Sequence, residues 1–188
     1  MMRIAVYCGS SEGLEAVYLK QTYQFAEALG EQGIDVVYGG GKVGLMGALA
    51  DTAMAYGSNV IGVIPKHLAD KELAHGGISE LIVVNDMHER KQKMAEYADA
   101  FVALPGGAGT LEEIFEAWTW AQLGLHNKPC GFLNINGYYD EMLSFLESMV
   151  KSGFMRQTYL DMLVVSNDIN KLLTKLQEYT PPKPKWSK

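Results

Sequence analysis

The chain has 188 residues, 48% apolar and 20% charged, which is enough to bury a core without disulfide or metal staples and is ordinary for a globular protein. Its formal net charge is -6 and Lys and Arg do not cluster before the last few residues, which excludes a phosphate-backbone surface and hence a nucleic-acid-binding role. No apolar run approaches the ~18 residues of a membrane span, and Met1-Met-Arg-Ile-Ala-Val-Tyr7 runs too directly into a strand to be a signal peptide, so a cytoplasmic protein without membrane contact is expected.

Strand and helix signals alternate along the whole chain. Residues 3–8 form a β-type run, and 15–31 a helix closed by Gly33. A strand at 34–38 leads into Gly39-Gly-Gly-Lys-Val-Gly-Leu-Met-Gly47 and a helix to about Tyr56. A strand at 59–64 is stopped by Pro65, and a polar connection over 66–79 precedes a strand at 81–84. The helix 87–98, the strand 100–104 and the helix 110–124 follow. Residues 128–133, 138–152, 162–165 and 169–179 complete the alternation as strand, helix, strand and helix. The strands are continuous apolar runs, as expected when helices cover both faces of a parallel sheet. The fold expected is α/β: a doubly wound, Rossmann-like parallel sheet of about seven strands in one domain over 1–180, with a Pro/Lys-rich solvated tail at 181–188 carrying Trp186. Cys8 and Cys130 sit inside strand-like runs and read as buried thiols of a reducing compartment.

In open parallel sheets, ligands bind beyond the C-terminal strand ends, where three glycine-bearing loops gather: 9–13, 39–47 and 105–110. The third, Leu104-Pro-Gly-Gly-Ala-Gly-Thr-Leu-Glu-Glu113, joins a strand directly to a helix and so brings backbone N–H groups to a helix N-terminus, a geometry that holds phosphate. Gly106, Gly107, Ala108, Gly109 and Thr110 are therefore candidate phosphate ligands. Ser10 of the first loop and Gly40, Gly41, Met46 and Gly47 of the second are candidates for contact with phosphate or substrate. The second loop contains Gly39-x-Gly41-x-x-Gly44, but the strand after it ends Val63-Ile64-Pro65-Lys66, without the acid a dinucleotide ribose requires. Lys42 is followed by Val43 instead of Ser or Thr, so a Walker A loop is excluded as well.

Two helices carry the charged candidates. On the first, Arg90 shares a stripe with Met94, Tyr97 and Ala98, an inward guanidinium that must meet an anion. That anion is either a core carboxylate or the substrate and its catalytic acid, and Lys91 fits either the surface or a supporting place behind the substrate. On the second, Thr110-Leu-Glu-Glu113 has the form of a capping box, with Thr110 at the N-cap and Glu113 at N3. A bound phosphate would take the same amides and release Glu113 for chemistry; Glu112 would stand beside it. Leu111, Ile114, Phe115 and Trp118 form the buried stripe of this helix, and Trp118, Trp120 and Leu123 extend the apolar surface beyond what one sheet face needs, which predicts a homodimer interface near the site.

Taken together, 38–47, Met87-His-Glu-Arg-Lys91 and Pro105-Gly-Gly-Ala-Gly-Thr-Leu-Glu-Glu113 resemble the LOG family, the cytokinin riboside 5'-monophosphate phosphoribohydrolases once labelled lysine decarboxylases. The likeness extends from residue 3 to 179 and includes Trp120-Ala-Gln-Leu-Gly124 and Asn136-Gly-Tyr-Tyr139. It implies that Arg90 and Glu113 are the catalytic pair, that Glu72 and Thr119 contact substrate, and that the substrate is a nucleoside 5'-monophosphate hydrolysed to base and ribose 5-phosphate. It implies no cofactor and no metal, and the four histidines lack zinc spacing. A Schiff-base lysine for pyridoxal phosphate is not singled out. Ala108 fills the signature's variable position, often aromatic in the family. The other reading left open is a non-catalytic nucleotide or molybdenum-cofactor carrier on the same fold.

Overall fold

A computed structural model describes residues 2–182, apart from the side chain of Glu72; residues 183–188, Trp186 included, lie outside the described residues. Seven parallel strands form one sheet: β1 (Arg3–Tyr7), β2 (Asp35–Tyr38), β3 (Val60–Pro65), β4 (Glu80–Val84), β5 (Ala100–Ala103), β6 (Cys130–Leu133) and β7 (Leu163–Ser166). The helices between them are α1 (Ala16–Glu31), α2 (Gly44–Ala55), α3 (Lys66–Leu68), α4 (Met87–Tyr97), α5 (Ala108–Gln122), α6 (Asp140–Lys151), α7 (Gln157–Leu160) and α8 (Ile169–Gln177). Every strand expected from the sequence is present, with ends displaced by a residue or two. The connection expected to be polar coil over 66–79 instead coils into α3 and a π-helical turn, Ala69–Leu73. Among the described residues no helix is long and apolar enough to cross a membrane.

The apolar strands are consecutive runs because both sheet faces are covered. Ile4, Val6, Val36, Tyr38, Val102 and Leu104 point to one face and pack with Phe25, Leu29, Leu49, Leu172 and Leu176 of α1, α2 and α8. Ala5, Tyr7, Val37, Phe101 and Ala103 point to the other and pack with Met94, Ile114, Trp118 and Leu146 of α4, α5 and α6. The period of two along a strand thus divides one apolar run between two cores. Cys8 and Cys130 are both buried, as their strand-like settings predict.

The spatial order is β4-β3-β2-β1-β5-β6-β7. The chain steps outward from β1 to β4, then crosses back to lay β5 on the opposite side of β1. Loops leaving β1 and β5 must therefore diverge, and a crevice opens between them at the carboxyl ends of the strands. Ile4 to Tyr7 of β1 pair with Ala100 to Ala103 of β5, which brings the first and third glycine loops side by side.

Candidate active site

The two loops at the switch point are stitched by the Gly9 amide, which donates to the Pro105 carbonyl at 3.0 Å. Beyond that bond the chain turns through Gly106 and Gly107 into α5. Gly106 must lack a side chain: a Cβ there would overlap the Thr110 hydroxyl and come within 2.9 Å of the Gly9 amide. The first helical bond of α5 runs from Leu111 N–H to the Gly107 carbonyl at 3.3 Å, so the amides of Ala108, Gly109 and Thr110 precede it and point out of the helix start.

This start corrects one sequence expectation. Thr110 is not the N-cap; that position is Gly107, with no side-chain cap, and the helix begins three residues before the start the capping box required. A capping box places Thr in extended backbone, whereas the Gly107 turn supplies that backbone itself and winds Thr110 into the first turn, buried beside Gly106. Glu113 is thereby released from any cap and turns inward, 9% exposed.

There it meets Arg90. The Nη1–Oε1 distance is 3.1 Å, and both side chains are close to nine-tenths buried. The guanidinium is fixed a second time by Nε donating to the Val63 carbonyl at 3.1 Å, and its Nη1 lies 3.8 Å from the Met87 sulfur. Gly39 makes room for it, since a Cβ at that position would occupy the place of Nη2. Of the two readings left open for Arg90, the ion pair with a core carboxylate is present, and the carboxylate is the candidate acid itself. Burial pushes the Glu113 carboxyl above its ordinary 4.5; Arg90 and Lys91 pull it down, Glu112 and Glu116 push it further up, and the net direction is upward. Desolvation thus outweighs the guanidinium.

Lys91, the next residue of α4, points the other way. Its ammonium lies 2.6 Å from Glu112 and 2.8 Å from Glu116, with the lysine side chain 10% exposed. Burial pulls its pKa down, but the hydrogen bonds to both carboxylates outweigh that and hold it up. The α4–α5 seam therefore carries Arg90 and Lys91 against Glu112, Glu113 and Glu116.

A cavity of about 240 Å³ opens on this seam, lined among others by Ser10, Gly39, Met46, Thr110, Glu112 and Glu113. Arg90, Gly107 and Gly109 reach it too, and so do Tyr7, Cys8, Gly9 and Met87, which sequence reasoning did not single out. Burial pushes the Cys8 thiol and the Tyr7 phenol up, with the Glu113 charge adding to both, so each is neutral at physiological pH. A second cavity of about 350 Å³ adjoins it across Gly9, Ser10 and Gly107 and is walled by Tyr18, Leu45, Pro105, Gly106 and Tyr138. Ala108 is exposed at the first turn of α5. Gly40, Gly41 and Gly47 shape the second loop: Gly41 bridges Ala74, and Gly47 packs on the Lys42 carbonyl. Thr119 is exposed more than two turns along α5 from Thr110. The Glu72 side chain lies outside the described residues. Among the described residues no group of three or more His, Cys, Asp or Glu is placed to hold a metal ion.

Trp118, expected on the buried stripe of α5 as well as in its apolar surface, follows the stripe. Trp118 is buried within the chain, its indole N–H donating to the Tyr159 carbonyl at 3.0 Å, whereas Leu123 is exposed and Trp120 half-buried.

A family model described as "Possible lysine decarboxylase" matches residues 46–176. The chain is 48% identical over 179 residues to the cytokinin riboside 5'-monophosphate phosphoribohydrolase LOG of Oryza sativa subsp. japonica, covering 95% of this chain and 74% of that protein. It is 46% identical over 179 residues to LOG3 of Arabidopsis thaliana, a protein of the same activity name, covering 95% of this chain and 83% of the relative. Among solved structures, the molybdenum cofactor binding protein of Rippkaea orientalis superposes with a TM-score of 0.71 at 19% identity, covering 94% of this chain and 96% of the other, a likeness of fold alone. The matched span takes in α4 and α5 with their paired charges, and on this evidence the chain belongs to the LOG family, whose curated rice and Arabidopsis members bear the name cytokinin riboside 5'-monophosphate phosphoribohydrolase.

Proposed function

We propose that this protein hydrolyses the N-glycosidic bond of an adenosine 5'-monophosphate, plain or N6-substituted, to free base and ribose 5-phosphate. The observation that carries this reading is the buried Arg90–Glu113 pair, set on the wall of a cavity that Gly107, Gly109 and Thr110 also line. The 5'-phosphate sits on the amides at the start of α5, where the helix dipole and unused N–H groups favour an anion. That anchor fixes the ribose with its anomeric carbon toward Glu113.

Cleavage passes through an oxocarbenium-like sugar, as in glycoside hydrolysis generally. Glu113 in its carboxylate form stabilises that positive charge and takes a proton from the attacking water. The water oxygen bonds to the anomeric carbon, and the base leaves with the glycosidic electron pair and is protonated. A carboxylate with a raised pKa is a stronger base than an ordinary glutamate, so desolvation suits Glu113 to this task. Arg90 holds the carboxylate in place and balances its charge. Lys91 contributes by tying down Glu112 and Glu116, not by touching substrate. The protein works as a homodimer with the site near the interface; exposed Leu123 and Leu125 and half-buried Trp120, toward and beyond the far end of α5, support the dimer itself.

Incubation with AMP and with isopentenyl-AMP, followed by separation of free base and ribose 5-phosphate, tests the reaction. Glu113→Gln is expected to bind AMP and to lose ~10²–10³ in rate, the typical cost of removing one such charged group. Binding without any release of base from the native chain would instead make it a nucleotide carrier.

A further inference from the structure

The carbonyls of Leu104, Pro105 and Gly106, three in succession, are all bound by groups from other parts of the chain. Leu104 accepts from the Tyr139 hydroxyl at 2.6 Å, Pro105 from the Gly9 amide at 3.0 Å, and Gly106 from the Tyr138 hydroxyl at 2.7 Å. These are the carbonyls to which Ala108, Gly109 and Thr110 would donate if α5 continued backwards. Because C=O and N–H point in opposite directions across a trans peptide, tying the Gly106 carbonyl to Tyr138 aims the Gly107 N–H the other way. Gly107 borders both cavities. The peptide between two glycines is the easiest in the loop to rotate, and its rotation would turn a carbonyl, instead of an amide, toward a bound anion.

The two tyrosines come from the β6–α6 connection, far from the loop in sequence. Asn136 in this connection has φ 51°, the left-handed region, and its amide donates to Glu15 at 3.1 Å. The Tyr138 ring stands edge-on to Tyr18 at 5.7 Å and to Tyr139 at 5.0 Å. Tyr139 is buried in the core, but Tyr138 is 43% exposed and its hydroxyl could be hydrated as easily as bonded to the chain. Its ring is nevertheless held so that the hydroxyl reaches Gly106.

We propose that Tyr138 is a positioning residue for anion binding: its hydroxyl locks the Gly106–Gly107 peptide with the amide facing the crevice, so that the loop is built for phosphate before phosphate arrives. This rests on the reading above only in placing a phosphate on the loop; it does not depend on what is cleaved. Preorganisation of this kind acts through affinity, because the free loop need not be reordered on binding.

The test is the full-length chain and its Tyr138→Phe variant, which keeps both ring contacts and removes only the hydroxyl. Calorimetric titration with inorganic phosphate and with ribose 5-phosphate is expected to show both binding about three- to tenfold more weakly in the variant, the worth of one hydrogen bond. Adenosine, which lacks the phosphate, is expected to bind within about twofold of the native protein, and the rate loss with AMP to fall on KM instead of kcat. Equal phosphate affinity in the two proteins overturns the proposal. So does an adenosine loss as large as the phosphate loss, which would assign Tyr138 to packing. Phosphate affinity that depends on Tyr138 in a protein releasing no base from AMP upholds this inference and removes the hydrolase reading. Release of base with phosphate affinity indifferent to the hydroxyl does the reverse.

Discussion

The charge state of Glu113 is set first by its burial and then by four charged neighbours. Arg90 and Lys91 of α4 pull its pKa down, and Glu112 and Glu116 of α5 push it up. Its folded pKa lies above the ordinary 4.5, so it contributes stability below that value and loses it as pH rises through the folded pKa; at neutral pH the ionised group is a cost to the fold. With the carboxylate as the working form proposed above, activity has the opposite slope. The acid limb of kcat/KM is therefore expected above the range of an ordinary glutamate. Lys91→Met removes a cation and leaves Glu112 and Glu116 unneutralised, and both changes push Glu113 up. The limb should move to higher pH in this variant, each pH unit of displacement costing about tenfold in rate on the acid side. A pH–rate profile identical to that of the native enzyme would show that Lys91 has no hold on Glu113.

At the scale of elements, the start of α5 decides whether the loop is a phosphate cradle or an ordinary capped helix. The sequence of residues 105–113 admits both, since Thr and Glu at this spacing form a capping box and glycines before a helix form an anion nest. What selects between them is contact with the loop that leaves β1 and with the first turn of α5: Gly106 packs on Gly9 and Thr110 with no space for a methyl group. Gly106→Ala should therefore displace the whole turn, weakening AMP binding by tenfold or more and costing about 1–3 kcal/mol of stability, measured by titration and by denaturant unfolding. The sequence also gave no sign that Tyr138 and Tyr139 hold this loop, since 32 residues separate Tyr138 from Gly106. Gly39 and Met87 were hidden for the same reason, because a cavity wall is assembled from elements that periodicity treats one at a time.

For the whole molecule, the switch between β1 and β5 gathers the glycine loops, and α4 and α5, on one sheet face, bring the charges to the same edge. The apolar residues at the far end of α5 lie outside this arrangement: Leu123 is 44% and Leu125 70% exposed. If they form the dimer contact, Leu125→Asp should convert a dimer to a monomer in light scattering while leaving the far-ultraviolet circular dichroism in place. A native chain already monomeric at micromolar concentration would remove that assignment. The order of strands and helices and the parallel sheet were legible in the chain itself, because apolar runs and glycine turns are local and leave a period or a spacing behind; that Arg90 goes with Glu113 was implied by the family resemblance, and the ion pair between them is present. The helix start at Ala108, the capture of Lys91 by two glutamates and the upward pKa of Glu113 were decided only by tertiary structure. Each depends on which surfaces meet and how much water they exclude, and no spacing along a chain encodes desolvation.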